Sequence, residues 1–141
     1  MFERVLKLFR KDQEAAERSQ AQREAFIDLL VWTMFVDRHL ASVEAEQIRK
    51  EAQGLQWEGR PLERFIDASV KRTRDILGSD NAERAYLDDI HERLGDAEMR
   101  MRVLSACEEL IAIDGDRAEA EVAHLERVKA RFAAEHPGEV G

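Results

Sequence analysis

Two stretches of this chain, 77 positions apart, carry the same pattern of amphipathic helix, acidic turn and second helix. The clearer copy is Val103 to Leu125, VLSACEELIAIDGDRAEAEVAHL. Val103, Leu104, Cys107, Leu110 and Ile111 recur at spacings that put them on one face of a helix. Gly115 can take the positive φ that ends such a helix, and Asp114 and Asp116 beside it are turn and N-cap residues. Glu121 then falls in the first turns of the next helix, where the positive end of the macrodipole favours a carboxylate. Asp37, Glu44 and Ile48 precede Asp114, Glu121 and Leu125 by the same interval (114 − 37 = 77). The apolar register agrees: Phe26, Ile27, Leu30, Met34 and Val36 fall opposite Val103, Leu104, Cys107, Ile111 and Ile113. A duplicated unit of this kind can bury its stripes only helix against helix, which points to an all-α fold.

The rest of the chain is punctuated in the same way. Ala25 to Val36 predicts a long buried helix, and Ser42 is placed to cap a helix running to about Gln53, with Gly54 as its stop. Gly59-Arg60-Pro61 opens a helix striped by Leu62, Phe65, Ile66, Val70, Thr73, Ile76 and Leu77, which Gly78 ends. Asp80 and Glu83 have capping-box spacing ahead of a face made by Tyr86, Leu87, Ile90 and Leu94, and after Gly95 Asp96 can cap the helix that enters the second repeat. Strict alternation is absent, and the two prolines are Pro61 and Pro137. At 141 residues, the expected architecture is a single-domain all-α bundle of about seven helices. Residues 1–24 form an N-terminal amphipathic helix and polar extension, 25–134 the helical domain and 135–141 a frayed tail.

The two acidic units resemble the TerB-like domains of bacterial tellurite-resistance and stress operons, which also occur at the N-terminus of a membrane-anchored J-domain co-chaperone. That family is marked by an apolar helix ending in Asp-Gly, an acidic residue about seven positions on and an aliphatic four after that, usually twice. IAIDGDRAEAEVAHL carries the pattern well and MFVDRHLASVEAEQI less fully, within a similar region from about Phe26 to Phe132. The first copy has Arg38 in the glycine position, and the second has Arg117 where the first keeps the aliphatic Leu40. The resemblance implies a non-enzymatic domain in tellurite or envelope stress, with protein partners, near the inner face of the membrane; the single cysteine, and the lack of a long apolar run or a signal-peptide pattern in the sequence, point to the cytoplasm. It also supports a divalent cation, Ca²⁺ or Mg²⁺, at the acidic turns.

Residue chemistry gives that cation a rationale and a rival. Hard cations take oxygen ligands, and Asp37 with Glu44, or Asp114, Asp116 and Glu121, could supply part of a shell. This is no EF-hand, because a twelve-position loop from Asp114 puts Leu125 where the bidentate glutamate belongs. In the rival reading the same carboxylates only close turns and satisfy helix N-termini, leaving a metal-independent protein-interaction module akin to the co-chaperone's domain. A remoter alternative is a di-metal carboxylate enzyme, since Glu121-Val122-Ala123-His124 fits Glu-x-x-His and Asp88-Asp89-Ile90-His91 is a variant with aspartate.

No Ser/His/Asp or Cys/His grouping and no glycine-rich phosphate loop suggests other catalysis. A net charge of −8 without a basic stripe argues against nucleic acid. The single cysteine, Cys107, reads as a small core residue. The N-terminus is locally basic: Phe2, Val5, Leu6 and Phe9 share a helical face beside Arg4, Lys7, Arg10 and Lys11. That face can rest weakly on an anionic membrane surface, fold back on the protein's own core or meet a partner. Residues 12–24 then read as a helical extension or a connector.

Overall fold

In the computed structural model, the residues described are 2–36, 40–113 and 118–134, with side chains at 4–7, 19–36, 40–113 and 119–133. They form six helices: α1 (Phe2–Met34), α2 (Ser42–Gly54), α3 (Leu62–Ile76), α4 (Asp80–Leu94), α5 (Ala97–Ile113) and α6 (Ala118–Ala134). No strand occurs among the described residues. The bundle is all-α, and its N-terminal segment and first buried helix are one continuous rod of 33 residues, about 50 Å at 1.5 Å per residue. The polar stretch 12–24 lacks glycine and proline and is rich in Glu, Gln, Arg and Ala, so nothing in it breaks the helix.

Helix α1 is the axis on which the other five pack. Every residue from Ala25 to Phe35 is buried, so this half of α1 has no wet side. A helix that is apolar nearly all round belongs in a core. Phe26, Ile27, Leu29, Leu30 and Met34 are fully enclosed, each contributing about 1.5–3 kcal/mol relative to exposure. Ile48 and Ala52 of α2, Phe65 and Ile66 of α3, Leu87, Ile90 and Leu94 of α4, and Leu125, Val128 and Phe132 of α6 complete the cluster from outside. From α5 come Val103, Cys107 and Leu110.

The repeat has a spatial counterpart. Helices α1 and α5 pack together, and α2 and α6 each rest on both of them. Repeat-equivalent positions Phe26 and Val103, Leu30 and Cys107, Met34 and Ile111, and Ile48 and Leu125 are all buried. The register loosens at the other two pairs, where Leu104 is half-buried opposite buried Ile27, and Val36 is half-buried where Ile113 is exposed.

Three helix ends differ from the sequence reading. Ala41, not Ser42, precedes α2, and it is the Glu44 carboxylate that accepts the Ala41 N–H at 2.8 Å. Gly54 stays helical, and the reversal falls at Gln56 with φ +59, while buried Leu55 donates its N–H to Glu51 and Ala52 carbonyls. Ser79 caps α4 by accepting the Ala82 N–H at 3.4 Å, and Glu83 reaches back to the Gly78 N–H at 3.1 Å. Gly78 and Gly95 do adopt the left-handed backbone expected of stops, and Asp96 accepts the Met99 N–H at 2.8 Å as a cap. No helix among the described residues is long and apolar enough to cross a membrane.

Candidate functional site

Of the five carboxylates expected to ligate a cation, Asp37, Asp114 and Asp116 lie outside the described residues. Glu44 and Glu121 lie within them, in the first turns of α2 and α6, and both are completely buried. The chain folds this way locally because an acidic side chain three or four residues into a helix can turn back toward N–H groups that have no intrahelical acceptor. Glu44 does so, with one carboxylate oxygen on the Ala41 N–H. Among the described residues no group of three or more His, Cys, Asp or Glu side chains is placed to hold a metal ion. The described part of the acidic turns is thus one capping carboxylate and one buried first-turn carboxylate, which do not by themselves form a hard-cation shell.

The two pairs with di-metal spacing are used differently. Asp88 grips the Arg131 guanidinium with both oxygens, at 2.8 and 2.9 Å, and this partner holds its carboxyl below the usual range. His91 packs edge-on against Phe132, ring centroids 5.0 Å apart. His124 lies against Trp32 at 4.7 Å and is 1% exposed. Its imidazole is pushed down to about 3, first by burial and then by the charge of Arg127, so it is neutral at ordinary pH. These pairs join helices through ion pairing and aromatic packing.

The most elaborate polar centre is one that the sequence reading passed over. Asp28, 1% exposed in the buried half of α1, accepts the Ser69 hydroxyl and Arg72 at 2.7 Å on one oxygen. Its other oxygen accepts Arg93 at 2.9 Å, and Arg93 also reaches Asp89 on α4 at 2.9 Å. Burial, with the Asp28 charge second, pushes the Tyr86 hydroxyl up to about 12. A signal was present: an aspartate inside the run AFIDLLVWTMF must be paired, because an isolated buried carboxylate is too costly to keep. The partners sit on α3 and α4 at separations that no local spacing indicates.

Cys107 is a core residue, as expected. Its sulfur lies 3.5 Å from the Thr33 hydroxyl, and burial pushes the thiol up to about 12, leaving little thiolate for reaction. At the other end of the molecule, Val5 and Leu6 are 63% and 51% exposed, between exposed Arg4 and Lys7. Val5 and Leu6 therefore do not fold back onto the protein's own core, as the sequence allowed, because the unbroken α1 leaves them exposed. The side chains of Phe2 and Phe9 lie outside those described. Compared with protein-family models, curated proteins and solved structures, the chain matches none.

Proposed function

We propose that this chain is a non-enzymatic, TerB-like helical domain that works as a protein-interaction module, with the start of α1 as its docking end. The observation that carries this reading is the open pair Val5 and Leu6 flanked by Arg4 and Lys7, at the far end of a helix whose other half is wholly core. Apolar side chains beside cations on an otherwise acidic protein suit an anionic surface, such as the inner leaflet or an acidic partner held there. The cap made by Glu44 supports the metal-independent form of the reading, since its carboxylate already serves a backbone N–H. The test is co-sedimentation with phosphatidylcholine–phosphatidylglycerol vesicles. Wild type should pellet in a salt-sensitive way and Val5→Asp/Leu6→Asp should not; equal pelleting of both would remove this docking end.

A second reading keeps the divalent cation and a role in tellurite or envelope stress. It is favoured by the complete burial of both repeat-equivalent carboxylates, Glu44 and Glu121. Calorimetric titration of Ca²⁺ and Mg²⁺ separates the two. Saturable heat that Glu44→Gln/Glu121→Gln abolishes would make the turns a cation site; a flat trace at millimolar cation would leave the carboxylates as parts of the helix starts.

A further inference from the structure

Helices α1, α4 and α6 enclose a groove of about 480 Å³, within the size range of small-molecule pockets. Trp32 and His124 line it together, their rings tilted at 56°. Leu87 and Val128 add apolar wall, and Arg84 and Arg127, both exposed, stand over it.

Two observations set this groove apart from a packing gap. First, the Trp32 Nε1–H and the His124 Nε2 have no hydrogen-bond partner among the described residues, although both residues are almost entirely buried. Buried polar atoms of this kind usually find partners, and leaving one unmet is costly. Second, the charge is inverted relative to the chain as a whole. Three arginines border the groove on a protein of net charge −8. Arg131 is tied to Asp88, while Arg84 and Arg127 make no salt bridge among the described residues. Of the two acidic residues at the same end, Asp80 and Glu83, the second is turned onto the Gly78 N–H.

We propose that this groove binds a small organic anion with a flat apolar body, its ring against Trp32 and His124 and its acidic group on Arg84 and Arg127. Guanidinium groups match carboxylate and phosphate geometry, and aromatic side chains favour offset or edge contacts with a second ring. The neutral state of His124 lets it pack against a ring without placing a second buried charge there. Carboxylate and phosphate ligands share this chemistry, and the probes distinguish them.

The test follows the Trp32 indole N–H by heteronuclear NMR during titration with naphthoate, naphthyl phosphate, neutral naphthalenemethanol and inorganic phosphate. Saturable shifts are expected with at least one of the two aromatic anions, and the tighter of them identifies the acidic group. Binding should weaken at least about tenfold for the neutral alcohol, for inorganic phosphate and for Arg84→Ala/Arg127→Ala, each tenfold being about 1.4 kcal/mol. Because both arginines are exposed, the double variant should unfold at the same temperature as wild type. Equal affinity for the neutral alcohol, full binding by the double variant, or no saturable shift at Trp32 with either aromatic anion would overturn the proposal.

Discussion

Asp28 and Trp32 stand one turn apart on the same buried half of α1, yet their polar atoms meet opposite fates. The Asp28 carboxylate is surrounded by donors from α3 and α4, all within 2.9 Å. The Trp32 indole N–H has no hydrogen-bond partner among the described residues, and its ring lies against Tyr86 of α4 and His124 of α6 at the wall of the groove. A charge in the core must be neutralised by the fold itself, because its desolvation is too large to leave open. A neutral N–H or imidazole nitrogen carries a smaller penalty, so a fold can keep it unmet where a ligand enters. Saturated polarity therefore marks a structural joint, and unsaturated polarity beside a cavity marks a place to bind.

The largest expected effect breaks the saturated side. Asp28→Asn keeps the shape but removes the charge that Arg72 and Arg93 face, and should lower unfolding stability in urea by about 3 kcal/mol, the low end for breaking a buried pair because both arginines reach water. A loss under about 1 kcal/mol would mean that the network does not hold α3 and α4 onto α1. Next comes acid. His124, near 3 in the fold, would titrate around the ordinary imidazole value of 6.5 when unfolded, so between those values the unfolded chain binds more protons. Its contribution is complete above about 6.5 and is lost as pH falls toward 3, at up to about 1.4 kcal/mol per pH unit. Stability measured against pH should be that much flatter in His124→Phe than in wild type, and parallel curves would refute the buried neutral imidazole.

The same variant sharpens the comparison at neutral pH. Since His124→Phe replaces a buried nitrogen that has no hydrogen-bond partner among the described residues, its stability at pH 7 should stay within about 1 kcal/mol of wild type, in contrast to Asp28→Asn. A loss as large as that of Asp28→Asn would show that the nitrogen is satisfied after all. The smallest effect belongs to the rim. Asp88→Asn removes a half-exposed ion pair with Arg131 worth about 0.2–1 kcal/mol. Arg131 depresses the Asp88 carboxyl, so this stability is present above the ordinary carboxylate pKa and lost as pH falls below it. Its measure is a salt-sensitive shift in the urea midpoint, and a salt-independent loss would mean that packing, not charge, is what Asp88 supplies.

Much of the fold could be read in advance from periodicity. The stripes Phe65/Ile66, Leu87/Ile90/Leu94 and Val103/Cys107/Leu110 are buried as expected, because one apolar face per helix has one place to go. Helix ends were less legible. Glu44 and Glu83 reach back to the N–H groups of Ala41, which looks unremarkable in sequence, and of Gly78, which reads only as a stop, and the turn falls two residues past Gly54, at Gln56. The candidate site was hardest to foresee. Glu121 and His124 stood out for their i, i+3 spacing, but His124 found an aromatic partner 92 positions away (124 − 32 = 92) in α1.

Sequence alone determined the helical class and most of the buried faces, because these follow from interactions within a few residues of each other. The tertiary structure decided which polar groups would be paired. Asp28 met Ser69, Arg72 and Arg93, and Trp32 met His124, because packing three helices around α1 brings distant positions within hydrogen-bonding or ring-contact reach. It also decided that Val5 and Leu6 stay in water, since an unbroken α1 carries them beyond the core that their apolar character would otherwise seek.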